Sequence, residues 1–325
     1  MPEHGDRQIA IVGAGMAGLA CAAALRQAGR AVEIFEKSRG LGGRVATRRT
    51  DRHSFDHGAQ YVTARGTDFN RYLAATAATA GAAPWRPETD DGGIETDPWF
   101  VGTPGMSALA KPLAAGLTIH RQALVRALRR EPAGWFVEME GRAAAGPFGA
   151  VAVTAPAPQT AALVGPFGTP FDRCSAAAMA PCWTLLLAFD GPIAAPADVL
   201  RPPDGPVAWA ARNSGKPGRA SAPQTWVIQA APGWSRTHLE AEREAIVPIL
   251  ESAFADLVGN GLARPVYAAA HRWRYARVES PLAEPCLISE DATLGAAGDW
   301  CLGSRVEAAF DSGRALGRAL AGQGT

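Results

Sequence analysis

The stretch from Ile9 to Glu36 restricts the fold more than any other part of the chain. Ile9-Ala-Ile-Val12 is a short apolar run with β-branched residues, the pattern of a buried parallel strand. Gly13-Ala-Gly-Met-Ala-Gly18 follows at once, and the Ala- and Leu-rich run Leu19 to Ala28 reads as a helix stopped by Gly29. Ala31 to Phe35 is a second strand, closed by Glu36. Strand, G-x-G-x-x-G, helix, strand, acid is the context in which the glycine motif carries information. Gly13 permits the tight turn, Gly15 lets a pyrophosphate approach the backbone, and Gly18 lets helix and strand pack closely. The helix start offers free N–H groups and partial positive charge to phosphates. Glu36 suits the two ribose hydroxyls of an adenosine and repels a 2′-phosphate, which argues against NADP here.

Composition removes other classes. The 325 residues leave room for about two domains. Lys plus Arg is 32 and Asp plus Glu is 31, so a net charge of +1 gives no electrostatic case for nucleic acid or an anionic membrane as partner. The five scattered cysteines form no C-x-x-C and favour a reducing compartment over a disulfide framework. No run of ~18 apolar residues is present, and the polar stretch Met1 to Gln8 does not read as a secretory signal. His53 and His57 have the spacing of a metal pair but lack the glutamate of H-E-x-x-H, so no metal is expected. Gly105-Met-Ser-Ala-Leu109 misses the last glycine of a nucleophile elbow.

The coenzyme is indicated further on. Ser38-Arg-Gly-Leu-Gly-Gly-Arg44 supplies a second glycine pair and an arginine, which many flavoproteins carry after the second strand and an NAD dehydrogenase does not need. In Asp56-His-Gly-Ala-Gln-Tyr61, small residues between polar ones would let backbone lie against a flat ring. Near the other end, Leu294 to Trp300 reads as a short strand ending in Gly-Asp, and Ser304-Arg-Val-Glu307 as a capping box opening a helix. A helix start aimed at flavin N1 and O2 stabilises negative charge there by ~0.3–1 kcal/mol. Asp299 would bond the ribityl chain.

Over nearly all its length the chain resembles the FAD-dependent renalase-like proteins, relatives of the flavin amine oxidases. The resemblance rests on the two glycine stretches above, Gly58-Ala-Gln-Tyr-Val-Thr-Ala-Arg65, Val101-Gly-Thr-Pro-Gly-Met-Ser-Ala108, Thr154-Ala-Pro-Ala-Pro-Gln159, His271-Arg-Trp-Arg-Tyr-Ala276, and Gly298-Asp-Trp300 through Arg305-Val-Glu307. It implies non-covalent FAD, a bacterial cytoplasmic setting, and oxidation of the 2- or 6-dihydro isomers of NAD(P) to NAD(P)+, with O2 returning as H2O2. It also carries cofactor contacts onto Gly13, Gly15, Met16, Ala17, Glu36 and Lys37. Further along, it implies Gly43, Arg44, Ala59, Gln60 and Tyr61, then Val125, Asp299 and Val306. Val125 would place its backbone against the adenine.

The expected architecture is α/β: a Rossmann-like FAD-binding domain of the flavin amine oxidase type, interleaved with an α+β substrate domain containing a mixed sheet. The FAD domain takes residues 1–60, 101–165 and 285–325, and the substrate domain takes 61–100 and 166–284. Trp135 to Glu140 and Ala150 to Thr154 read as strands of the first. Trp183 to Phe189, Val207 to Ala211, Thr225 to Ala230 and Tyr267 to Tyr275 read as strands of the second. His238 to Leu257 reads as a helix that Pro248 should kink or interrupt, and the polar loop Arg212 to Arg219 as a surface turn.

Hydride loss from a dihydropyridine is driven by its own nitrogen lone pair and releases no proton from carbon. Such a reaction needs positioning rather than an acid–base pair. Val101, Gly102, Thr184, His271 and Arg305 are the candidate substrate contacts; Arg305 would meet the nicotinamide or its phosphates and Thr184 its amide. His271, Trp273 and Tyr275 alternate on one strand face, which also describes an ordinary half-buried sheet. Two alternatives stand beside this reading. One is an amine oxidase or desaturase, disfavoured because none of Lys37, Lys111 and Lys216 falls in a segment expected beside flavin N5. The other is a flavin-binding redox module without turnover.

Overall fold

The computed structural model describes residues 8–90, 92, 98–259 and 262–322. The chain forms two compact units, Met1–Gly43 with Ala110–Met179 and Val278–Thr325, and Arg44–Leu109 with Ala180–Arg277. These breaks follow Gly43, Leu109, Met179 and Arg277, whereas the sequence reading set them after residues 60, 100, 165 and 284. The shift has a local reason. The ribbon pairing Thr47–Arg49 with Ser54–Asp56 belongs to the second unit, so the first unit ends at the second glycine pair.

In the first unit a six-stranded sheet runs in the order Leu287–Ile288, Leu294–Ala296, Ala150–Val153, Ile9–Val12, Val32–Glu36, Thr118–Arg121. All neighbours are parallel except the Leu287–Ile288 edge. Ile9–Val12 and Ala150–Val153 are buried throughout, as the middle strands of a sheet covered on both faces must be. An antiparallel sheet of Val125–Glu131, Gly134–Met139 and Ala145–Phe148 adds Val137, Trp135 and Phe148 to the same core.

Two helices meet closely on this unit. Met16–Gln27 packs on Val306–Leu320, and the contact is made through glycine. A methyl group at Gly313 would overlap the carbonyl oxygen of Ala17, and one at Gly317 would lie 2.7 Å from that of Cys21. The C-terminal helix starts at Val306 with Arg305 as N-cap and no side-chain cap bond, so the expected capping box does not form. Glu307 instead meets the Arg305 guanidinium at 2.7 Å.

The second unit has a five-stranded sheet ordered Val199–Leu200, Val207–Arg212, Gln224–Ala230, Ala178–Phe189, Tyr267–Ser280. The pairings described for the first four strands are antiparallel, and Thr89 adds a single parallel bridge at Val199. Trp183, Leu187, Trp226 and Ile228 pack there with Ile246, Leu250 and Phe254 of the helix Arg243–Val258. That helix starts five residues later than expected, because His238 ends a separate helix, Pro232–Thr237, and Glu242 caps the next. Pro248 lies inside it without ending it. The loop Arg212 to Arg219 is not a surface turn: Asn213, Ser214 and Lys216 are buried. Among the described residues no helix is long and apolar enough to cross a membrane.

The glycine-mediated helix contact gives a direct test. Gly313→Ala gains up to ~1 kcal/mol of helix propensity, but the overlap with Ala17 should reverse that, for a net loss of about 1–3 kcal/mol in urea unfolding. Gly233→Ala, where no atom lies within 4 Å of the added methyl, should leave stability unchanged or higher.

Candidate functional site

The glycine loop of the first unit is fixed from three sides. Thr154 donates its hydroxyl to the Val12 carbonyl at 2.9 Å and to that of Gly13 at 3.1 Å. Gly13 has φ +104°, and a methyl at Gly18 would overlap the Gly13 carbonyl. On the third side, Gly42 N–H donates to the Ala14 carbonyl at 2.8 Å. An added methyl at Gly43 would come within 3.3 Å of the Gly15 Cα. The second glycine pair therefore packs on the first. Beside Gly15 there is open space: a methyl there would meet nothing within 4 Å. That is the opening a pyrophosphate needs at a helix N-terminus.

Glu36 ends the second strand, buried, with its carboxylate held by two backbone donors. Ala14 N–H reaches Oε2 at 2.7 Å and Ser38 N–H reaches Oε1 at 2.7 Å. Each oxygen keeps a lone pair for a ribose hydroxyl. Ala123 N–H donates to the Glu36 carbonyl at 2.9 Å, which brings the start of the strand Val125–Glu131 to the same strand end. Met16 and Ala17 are buried in the helix's first turn, and Ala17 touches Gly313. Lys37 lies outward, donating to Gln159 Oε1 at 3.3 Å. Asp299 is buried in the short helix Asp299–Leu302, and Val306 is the first residue of the C-terminal helix. Arg305 is half-buried against Glu307. The donors, the open glycine edge and the paired carboxylate of this unit fit the adenosine and pyrophosphate of a dinucleotide.

The second unit brings Arg44, Ala59, Gln60 and Tyr61 together. Ala59 N–H donates to the Arg44 carbonyl at 2.8 Å, and a methyl at Gly58 would overlap that oxygen, so only glycine allows the approach. The Gln60 carboxamide is fully engaged: Nε2 donates to the carbonyls of Asp56 and Gly58 at 2.5 and 3.0 Å, and Oε1 accepts from Lys216 at 3.0 Å. Its side chain is internal. Tyr61 stacks on Trp99 with centroids 4.0 Å apart. Arg201 lies 5.0 Å from the Trp99 ring and 5.3 Å from that of Trp209. Lys216 lies 5.2 Å from the Trp85 ring.

Sequence reasoning missed the hub of this unit. Asp56 is buried and accepts from Thr47 Oγ1 and Met106 N–H, each at 2.8 Å, on Oδ1. Arg219 bonds Oδ2, and Lys216 lies 3.6 Å from it. Burial alone would raise the Asp56 carboxyl, but the charges of Lys216 and Arg219 and the Met106 amide outweigh it and hold it below the usual range. Burial pulls the Lys216 ammonium down to about 8, against the opposing charge of Asp56. The signal was an acid before Gly-Ala-Gln and two cations in a Gly/Pro loop, residues whose pairing spans some 160 positions.

The candidate substrate residues diverge. Val101 and Thr184 are wholly buried, and the Thr184 hydroxyl lies 3.8 Å from Cys182 Sγ. Gly102 is buried and gives its carbonyl to Arg219. His271 is half-buried in a ring cluster, 4.7 Å from His57 and 4.6 Å from Trp273. Burial, then the Arg48 charge, brings His57 down to about 4. Burial, then His57, Arg243 and Arg48, brings His271 down to about 3. Both rings are neutral at pH 7.

The NAD(P)-binding Rossmann-like domain family matches residues 11–76. The chain is 48% identical over 54 residues to 4,4'-diapophytoene desaturase (4,4'-diaponeurosporene-forming) of Staphylococcus haemolyticus, covering 17% of this chain and 11% of that protein. The Staphylococcus aureus (strain Newman) enzyme of the same name is 37% identical over 76 residues, 20% of this chain and 15% of its own length. The chain thus spans well under a fifth of the desaturases it matches. Among solved structures, cyclohexylamine oxidase from Brevibacterium oxydans superposes with a TM-score of 0.75 at 13% identity, covering 98% of this chain and 99% of that one. Wild-type putrescine oxidase bound to putrescine gives 0.67 at 13% identity, covering 97% and 98%. The fold is that of the amine oxidases. A Rossmann-like α/β unit with a mostly parallel sheet is common ground between the family match, these structures and the sheet order above.

The histidine pair sets an acid limb. Its folded pKa values lie below the ordinary 6.5, so as pH falls through 6.5 the unfolded chain takes up protons that the folded chain refuses, and stability drops. Asp56 contributes stability that begins to fall only near its unfolded value of about 4, outside this window. Urea midpoints should therefore fall between about pH 7 and pH 5. His271→Asn should show a shallower fall, and parallel profiles would contradict the assignment.

Proposed function

We propose that the chain is an FAD-dependent oxidoreductase that takes a hydride from the 2- or 6-dihydro isomers of NAD(P) and yields NAD(P)+. The Glu36 carboxylate carries the coenzyme part of this reading. Paired to Ala14 and Ser38 N–H beside the open edge of Gly15, it is set for an adenosine ribose, and the second glycine pair packed on that loop is the flavoprotein feature. Gly13, Gly15, Met16, Ala17, Glu36, Gly43, Val125, Asp299 and Val306 of the first unit are the proposed coenzyme contacts. Arg44 and the Ala59–Tyr61 backbone of the second are proposed with them on the resemblance to renalase-like proteins. Lys37, engaged outward with Gln159, is proposed for its backbone alone.

Bound FAD would supply two-electron oxidation, taking up the hydride and passing the electrons to O2, which would leave as H2O2. The overall balance is dihydro-NAD(P) plus O2 plus a proton giving NAD(P)+ plus H2O2. The protein's share is to bind and orient. The donor nitrogen expels the hydride, so no side chain need remove a proton, and the neutral His57 and His271 suit that. His271 and Arg305 are the proposed substrate contacts that retain accessible surface.

The amine-oxidase fold favours a second reading, oxidation of an amine. Against it, Trp85, Trp99 and Trp209 offer an ammonium little, because they already carry the chain's own cations, Arg201 at Trp99 and Trp209 and Lys216 at Trp85. Anaerobic mixing separates the readings. The isomeric dihydronicotinamide dinucleotides should bleach the flavin band within a turnover, and air should then give one peroxide for each donor consumed. Bleaching by amines alone would reverse the order. Reduction by dithionite but by no organic donor would leave a binding module.

A further inference from the structure

Lys216 has no part in the chemistry above, yet it is wholly buried in the second unit with Asp56 and Arg219. Three charges of net +1 taken out of water do little for stability that well-packed apolar side chains would not do as well. Where such a cluster is kept, what it holds in place is the better question. Here it holds one short turn. Asn213 accepts Asp56 N–H at 3.2 Å and donates to the Ser54 carbonyl at 2.8 Å. Lys216 donates to Gln60 Oε1 at 3.0 Å, and Gln60 Nε2 spends both hydrogens on the carbonyls of Asp56 and Gly58. Gln229 donates to the same Gly58 carbonyl at 2.7 Å, and Trp273 to that of His57 at 2.8 Å.

The turn's other ties are Ala59 N–H to the Arg44 carbonyl at 2.8 Å and the pairing of Asp56 with Thr47. Gly58 and Ala59 have no side chain long enough to anchor themselves, and glycine is the most mobile backbone unit. Every carbonyl from Asp56 to Gly58 is held by a side-chain donor from another segment or from Gln60. Gln60 is itself oriented from outside. Its two amide ends have nearly the same shape, and a cation at Oε1 fixes which end faces the carbonyls.

We propose that Lys216 is a positioning residue that acts through Gln60, setting the Gly58–Ala59–Gln60 backbone that the flavin reading assigns to the coenzyme. The inference rests on the flavin reading above. It assigns to the loop Asn213–Arg219 the task of a buckle on residues 54–60, with Lys216 as its tongue. Arg219 extends the same buckle to the Gly102 carbonyl, and Asp56 to the Met106 amide.

The test compares Lys216→Met, Gln60→Leu and the double variant, each purified with FAD bound. The readouts are the oxidised visible spectrum, the midpoint potential, and the limiting rate of anaerobic flavin reduction against the donor concentration for half-saturation. Both single variants should shift the visible band. Both should slow limiting reduction by ~10–100-fold, the scale of a small misplacement, with half-saturation nearly unchanged. The double variant should be no worse than either single one, as expected for two residues acting in series. Should Lys216→Met fail to fold, Gln60→Leu carries the test alone. Wild-type spectrum, potential and rate in both variants, with only a lower unfolding midpoint, would overturn the inference. An effect in Lys216→Met with none in Gln60→Leu would overturn it too, since the charge would then act without Gln60. A wild-type chain that takes up no flavin overturns the underlying reading, and is seen before any variant is made.

Discussion

One carboxylate ties together the ends of the first strand–helix–strand unit. Glu36 accepts from Ala14, inside the glycine loop, and from Ser38, two residues beyond the strand. Its burial next to two N–H donors offsets the desolvation of the charge and fixes the loop relative to the second strand. Everything proposed about a dinucleotide depends on that fixture. The open edge at Gly15 is useful because the loop around it cannot drift, and the second glycine pair can pack on the first because Ala14 is held.

The second unit repeats the device at larger scale. Asp56 is a buried carboxylate beside a turn of small residues, and it too accepts from a backbone amide, that of Met106. The difference lies in its partners. Glu36 is held by the backbone within its own unit of sequence. Asp56 needs two cations from a distant loop, and their combined charge exceeds its own. The first arrangement is inexpensive and local. The second puts a net charge in the interior and brings the Lys216 ammonium down to about 8. Each unit thus fixes a turn of small residues with a buried acid, one through backbone donors and one through side-chain cations.

Legibility in the sequence follows from range. Ile9–Val12, the glycine loop, the helix after it and the acid at 36 lie within one strand–helix–strand span, where periodicity and glycine placement fix the geometry. The strands at 134–139 and 150–153 were legible for the same reason. The Asn213–Arg219 loop was not, because a polar stretch broken by Gly and Pro has the same local signature whether it lies in water or closes over a buried aspartate. Ser304 to Glu307 had the spacing of a capping box, but Arg305 takes the cap position and draws Glu307 into an ion pair. Thr184 and Val101 are substrate candidates by their place along the chain, and in the folded unit both are fully buried. Burial of this kind is a property of the assembled unit and has no local mark.

The account stands or falls on whether the fixed glycine loops hold FAD. Freshly purified protein is precipitated with acid, and the flavin in pellet and supernatant is measured against the protein. The account predicts yellow protein whose colour moves wholly into the supernatant as stoichiometric FAD. A folded, colourless chain that also refuses added FAD would contradict it.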